Sequence, residues 1–267
     1  MKKSIFVVFL IALCLALLSG CNVVKNDNME YQLQAETNTY TLTAYKDLKS
    51  ITVLTVPDQI DGINVTSIAK HGLSNSEYLT DIILGDNISE IDSWGIRNNT
   101  ALERITVSDN NPHFKSVDGV LFSKDGKTLI SFPNHNAEKY IVPEGVEIIQ
   151  DMAFYKCDNL KEVTLASTVK TLGKLSFLKT LALEKITLNE GLTAIGQNAF
   201  LGCEKLTTLD IPNSIESIGE YAYYNCVNLL QIRVHKAEAD ISLGKKWYPT
   251  KAGQNIKELS ITYGEGA

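Results

Sequence analysis

The sequence has little with which to do chemistry or to brace itself by cross-links. Five cysteines in 267 residues are too few for a disulfide-framed mini-protein. The four histidines, His71, His113, His135 and His235, stand far apart, and none has a metal-ligand spacing. There is no Gly-x-Ser-x-Gly, no phosphate-cradling glycine loop and no His-Glu-x-x-His. Asp109-Asn110-Asn111 lacks the glutamate a calcium loop needs and reads as a turn. Positive charge is not in excess either. Lys and Arg number 25 against 31 Asp and Glu, a formal charge of −6, which excludes binding nucleic acid by neutralising phosphates. Only one long apolar run exists, so a polytopic membrane protein is excluded. The chain is therefore read as non-enzymatic, with no catalytic residues, no cofactor and no metal. What it does have is an apolar share of 44% with 21% charge, enough to bury a core rather than stay disordered.

The apolar run is N-terminal. Lys2 and Lys3 precede Ile5 to Leu18, 14 residues without a polar side chain, which suits a secretory signal and is too short to span a bilayer. It ends in Leu18-Ser19-Gly20-Cys21, which resembles the bacterial lipobox. The resemblance implies cleavage before Cys21, a diacylglyceryl thioether on its sulfur, and export to a membrane-anchored, surface-exposed position. The alternative is an ordinary signal peptide with a chance cysteine at its end. Removing residues 1–20 takes away two lysines and no acid, leaving −8, from 23 basic against 31 acidic residues. A moderately acidic body is mildly repelled by anionic lipid, so the membrane is expected to be a partner through the lipid anchor only. Residues 22–39, rich in Asn, Gln, Thr and Glu, read as a flexible tether after the lipidated Cys21.

The remainder repeats. Phe154, Phe177, Phe200 and Tyr223 are 23 residues apart, as are Leu160, Leu183, Leu206 and Leu229. Four further apolar columns keep the register, among them Val163, Ile186, Leu209, Ile232 and Leu165, Leu188, Ile211, Val234. Ala153, Ser176, Ala199 and Ala222 form a column of small residues. Upstream, Leu79 and Leu102, and Ile82 and Ile105, show the same period. Between the two tracts lies an irregular 35-residue unit, 103–137, in which Asp118-Gly119 and Asp125-Gly126 punctuate short apolar runs. That is a hairpin signal, and the hairpin is expected to lie against the stack as a strap.

One unit shows the local physics. Ile186 and Leu188 alternate with Lys185 and Thr187, a half-buried strand. Gly191 breaks it, Leu192 and Ile195 point inward from a second extended segment, and Gly196 is expected to turn the chain with positive φ. Asn198 to Cys203 is too short for an α-helix and is expected to form a helical turn that plugs Phe200 into the core. A single unit cannot cover its apolar face, whereas stacked copies cover one another. The fold is thus a repeat solenoid of ~23-residue units, short parallel strands plus short helical turns with one β-hairpin insertion. It is expected to run over 40–229, with a C-terminal cap at 230–267 built around Trp247-Tyr248-Pro249 and a last strand near Leu259 to Tyr263.

The unit from Leu206 to Leu229, Leu-Thr-x-Leu-x-Ile-Pro-x-Ser-Ile-x-Ser-Ile-Gly-x-x-Ala-Tyr-x-x-Cys-x-x-Leu, resembles the BspA-like leucine-rich repeat. The segment from Ser116 to Ile130, with Pro133 after it, is similar to that family's interrupting hairpin. The unit 161–183 departs from the pattern, with Thr180 in place of Cys and Lys174-Leu175-Ser176 ahead of Phe177. The resemblance implies a curved, leucine-rich-repeat solenoid on a bacterial surface, adhesion or host-protein binding as its role, and no catalytic motif.

Cys157, Cys203 and Cys226 fall in one column, which permits a Cys203–Cys226 disulfide or an internal ladder of inert thiols. Two outward faces are candidates for binding. On the long strands, Lys139, Glu162, Lys185 and Asp210 must point away from the core if Val163, Ile186 and Leu209 point into it. The rival is a ridge of Tyr155, Leu178, Leu201 and Tyr224, each following the buried aromatic, which is either adhesive or mere packing between turns. A protein ligand is the expected partner. A structural spacer and a carbohydrate-binding lipoprotein are the alternatives.

Overall fold

The computed structural model describes residues 23–26, 28–45, 51–251, 254–255 and 259–264. The expected signal segment and Cys21 lie outside the described residues. The chain winds as a right-angled coil of three sides, each turn taking 23 residues in the regular part.

The first side is the longer strand of each unit. Val53–Val56, Asp81–Leu84 and Arg104–Val107 pair in parallel, as do Lys139–Ile141, Glu162–Thr164 and Lys185–Thr187, and then Thr208–Ile211, Gln231–Val234 and Ser260–Tyr263. Val163 lies opposite Ile186 and Glu162 opposite Lys185, so the 23-residue period puts like columns side by side. Val163, Ile186, Leu209 and Ile232 are all buried, which keeps the alternate residues outside. The second side carries Ile148–Ile149, Thr171–Leu172, Ala194–Ile195, Ser217–Ile218 and Ser242–Leu243, again parallel.

The third side corrects an expectation. No helical turn forms there, and among the described residues the only helix is the 3-10 segment Glu238–Asp240. Every second N–H points along the solenoid axis instead: Phe154 N bonds Ser176 O at 2.7 Å, Phe177 N bonds Ala199 O at 2.7 Å, and Phe200 N bonds Ala222 O at 2.7 Å. The alternate N–H groups close tight turns, as Tyr155 N does on Met152 O at 3.0 Å. Left-handed residues at both ends of each turn, Asn198 (φ 55) and Gly202 (φ 77) in one unit, make that alternation possible. A helix would spend all of these donors within one unit, whereas the stacked coil uses half of them to join its neighbours.

Gly196 does not take the positive φ expected of it, since the left-handed position falls at Asn198. Its role is close approach. A Cβ on Gly196 would lie 2.6 Å from Gly173 C, and one on Gly219 would lie 2.4 Å from Gln197 N and 2.5 Å from Gly196 C. Successive backbones touch at this corner, so Gly219→Ala is expected to destabilise by about 1–3 kcal/mol or more, read as a lowered thermal midpoint. An unchanged midpoint would show that the coils separate there without cost.

The expected strap is a wedge. Phe114–Val117, Val120–Ser123 and Thr128–Ser131 form an antiparallel meander whose last strand pairs in parallel with Ile148–Ile149, so it opens the second-side sheet rather than lying over it. Val120, Phe122 and Leu129 enter the core that runs to Trp247, while Leu121 and Ile130 enter a separate core that begins at Met29. Both of its faces are buried, which is why Val120-Leu121-Phe122 is apolar without alternation.

The chain ends also differ from expectation. The supposed tether at 22–39 is folded from Val23 onward: Val23–Asn26, Met29–Gln34 and Thr39–Tyr45 pair antiparallel and cap the first core with Tyr31 and Leu42. Its polar residues are the outward half of an alternating strand, Glu30 and Gln32 beside Tyr31 and Leu33. At the other end, Gln231–Val234 and Ser242–Leu243 continue the coil past residue 229, and Trp247 closes the aromatic column.

Candidate functional site

The strand face is set by the register. Lys139, Glu162 and Lys185 are direct neighbours in one outward row. Lys139 Nζ lies 2.9 Å from Glu162 Oε1, and Lys185 has no ion pair among the described residues. Asp210 does not join them. It stands in the other outward row, opposite Arg233, which donates from Nη2 to Asp210 Oδ2 at 2.9 Å. That hydrogen bond holds the Asp210 carboxyl below its usual range. The strand Lys185–Thr187 is also unpaired with Thr208–Ile211, and beside this seam Leu188 is the only half-buried member of its column. The structure therefore brings three of the four candidates together and sets the fourth apart.

Most charges on this face and its flanks pair at the repeat spacing. Arg104 bonds Asp81 at 2.7 Å, Lys161 bonds Glu138 at 2.9 Å and Lys170 bonds Glu147 at 3.4 Å. These pairs are largely exposed, so each contributes at most about 1 kcal/mol to stability.

On the turn face, Tyr155, Leu178, Leu201 and Tyr224 are half-buried, neither free ridge nor sealed packing. Two residues extend the row that the sequence did not reveal. The half-buried Trp94 meets Tyr155 edge to face with centroids 5.4 Å apart, and Tyr248 follows the buried Trp247 as Tyr224 follows Tyr223. Trp94 escaped notice because the irregular unit breaks the count between it and Tyr155. Tyr248 lies 24 residues beyond Tyr224, one out of period, although the Trp247-Tyr248 doublet repeats the Tyr223-Tyr224 pattern and could have signalled it. Lys156 sits over the Tyr155 ring at 5.5 Å and donates to Asn98 Oδ1 at 2.7 Å.

Inside, the cysteine column is a ladder of free thiols. Cys203 Sγ donates to Phe177 O at 3.2 Å and Cys226 Sγ to Phe200 O at 3.0 Å, each reaching back to the previous coil. Thr180 Oγ1 does the same for Phe154 O at 2.7 Å, which explains why threonine can replace cysteine there. Burial pushes the thiols of Cys157 and Cys203 up, leaving them neutral and poor nucleophiles. Among the described residues no group of three or more His, Cys, Asp or Glu is placed to hold a metal ion.

Comparison with known proteins agrees with this architecture. The family model described as the BspA type leucine rich repeat region matches residues 39–126 and 127–244 with six copies. Among solved structures, the pneumococcal vaccine antigen PcpA is 17% identical with a TM-score of 0.54, covering 90% of this chain and 93% of that one. A leucine-rich repeat protein from Eubacterium ventriosum is 18% identical with a TM-score of 0.52, covering 89% of each chain. At these identities the likeness is one of fold. None of these matches is to a catalytic family. No curated protein matches the sequence.

Proposed function

We propose that this chain, which belongs to the BspA-type leucine-rich repeat family, is a lipid-anchored bacterial surface protein that binds a protein partner through the strand face of its solenoid. The observation that carries this reading is the in-register outward row Lys139, Glu162, Lys185, a flat and rigid surface on which one partner can engage several units at once. Charges so exposed are individually weak, so recognition rests on the patch, and its mixed sign sets orientation and on-rate more than total affinity. In this reading residues 1–20 are the export signal and Cys21 carries the lipid.

The anchor has its own test. Cys21→Ala is expected to abolish incorporation of labelled fatty acid and to leave an unprocessed or soluble product, as read by metabolic labelling and fractionation. Label entering that variant at the parental level would remove Cys21 as the site.

The binding face is tested by capturing host and bacterial surface proteins on the chain from residue 22 and then comparing two folded variants against the captured protein. Reversing Lys139, Glu162 and Lys185 together is expected to lower affinity at least tenfold at low salt, chiefly through a slower on-rate. Tyr155→Ser with Tyr224→Ser is expected to change it little. If the charge-reversed variant binds normally while the tyrosine variant fails, the strand face is not the site. Capture of nothing by a folded chain would favour the spacer reading, which the internally paired Lys139 and Glu162 also suit.

A further inference from the structure

The turn face differs from the other two sides in both charge and apolarity. Along it run Trp94, Tyr155, Leu178, Leu201, Tyr224 and Tyr248, all half-buried and presenting partly exposed rings or branched alkyl groups at successive coils. Beside them stand Lys156, Lys174, Lys179, Lys245 and Lys246, none of which has a carboxylate within 4.0 Å among the described residues, whereas Lys127, Lys139, Lys161, Lys170 and Lys205 on the other sides are all paired. Asp151 and Glu220 share the face. Asp151 is engaged with the backbone, accepting from Lys174 N at 2.7 Å, and the side remains net cationic on an acidic protein.

We propose that this face docks on an anionic membrane surface. Tyrosine and tryptophan rings with unpaired lysines are the composition that settles at a headgroup boundary, the rings at the acyl edge and the ammonium groups among the phosphates. The two leucines at the centre of the row decide against a glycan, since Leu178 and Leu201 offer neither a stacking ring nor a hydrogen bond to a sugar. Position agrees. The folded body starts at Val23, so on the anchor reading above only about 7 Å of chain separates the lipidated Cys21 from the first strand, and the body is held against the bilayer. With the turn face down, the row Lys139, Glu162, Lys185 is left open to solvent and to a partner. Because the body as a whole is acidic, the attraction acts only within a screening length and falls steeply with salt.

The test separates this surface from the anchor by using the chain from residue 21 with Cys21→Ser, which keeps every described residue and carries no acyl group. Co-sedimentation with vesicles of equal phosphatidylglycerol and phosphatidylcholine is expected to show binding at low salt that vanishes at high salt, with none to pure phosphatidylcholine. Replacing Lys156, Lys174 and Lys179 by Glu is expected to lower the partition coefficient about 100-fold, at roughly one unit of binding per lysine near the surface. The charge-reversed strand-face variant should bind these vesicles like the parent. The proposal is overturned if the parent ignores the anionic vesicles at low salt, if it binds both lipid mixtures equally, or if the lysine variant is unaffected. Retention on dextran sulfate without vesicle binding would also overturn it, assigning the face to a soluble polyanion. None of these outcomes bears on whether Cys21 is acylated, which the labelling experiment decides separately.

Discussion

Phe200→Ala is expected to destabilise the protein by about 3–5 kcal/mol, among the largest losses a single truncation can produce here. The ring is fully buried in a column that runs Phe132, Phe154, Phe177, Phe200, Tyr223, with Trp247 at its end. Its centroid is 4.9 Å from that of Phe177 and 5.1 Å from that of Tyr223, with the planes 6° and 8° apart. Aromatic pairs left to themselves prefer offset or edge-on arrangements. Here the spacing is dictated by the strands, about 4.8 Å from coil to coil, so identical columns bring identical rings face to face. Removing one ring leaves a void between two that cannot close it, because backbone bonds fix the coils on both sides: Phe177 N to Ala199 O at 2.7 Å and Phe200 N to Ala222 O at 2.7 Å. The loss should therefore spread to both neighbours and appear as faster amide exchange at Phe177 and Tyr223 as well as a lower denaturant midpoint. Tyr223→Phe is the contrasting control. The Tyr223 hydroxyl is buried without a hydrogen-bond partner, so deleting it while keeping the ring should be neutral or stabilising. A Phe200→Ala midpoint equal to that of the parent would mean that the ring contributes nothing to the stack.

Arg97→Ala is expected to cost about 3 kcal/mol or more and to uncouple the two halves of the solenoid, through unsatisfied carbonyls and a cavity at their junction. Arg97 is 4% exposed and has no carboxylate partner. Its Nε donates to Ser93 O at 2.9 Å, its Nη2 to Ile130 O at 2.9 Å, and its Nη1 to the Ser131 hydroxyl. It thus ties the turn at 93–97 to the last strand of the wedge, where the core beginning at Met29 meets the core ending at Trp247. Burial pushes the guanidinium down to about 10, which still leaves it charged at neutral pH. A basic group whose folded pKa is depressed adds a constant penalty below that value and relief only above it. The variant's loss should accordingly be flat from pH 5 to 9. Arg97→Met, which fills part of the space and removes the buried charge, should lose less than Arg97→Ala. Calorimetry should show one transition in the parent and two in Arg97→Ala. A single unshifted transition in Arg97→Ala would show that the staple carries no load.

Arg97 also marks where reading the sequence stopped. It occupies the position that Tyr155, Leu178, Leu201 and Tyr224 hold in later units, an exterior position by period. It is buried only because residues 130 and 131 of the irregular unit fold over it. The same unit hid Trp94 from the row it heads. Within the regular units the columns were readable, since a fixed period repeats each residue's environment, and the inward assignments of Val163, Ile186, Phe200 and their neighbours follow from that alone. The helical turn was misread for a related reason. A segment of six residues looks the same to a local pattern whether its donors are satisfied within the unit or by the next one.

What the sequence determined by itself was the repeat: its length, its columns, its family and the placing of strands and buried aromatics, all of which depend on spacing along the chain. What only the tertiary structure decided was everything that depends on which coil lies next to which. The pairing of Lys139 with Glu162, the separation of Asp210 from that row, the thiols donating to the carbonyls of the coil before, the glycine corner and the wedge between two cores belong to that class. A hydrogen bond or a contact between coils is a relation between residues 22 or more apart, and its distance is fixed by backbone packing that no single unit contains.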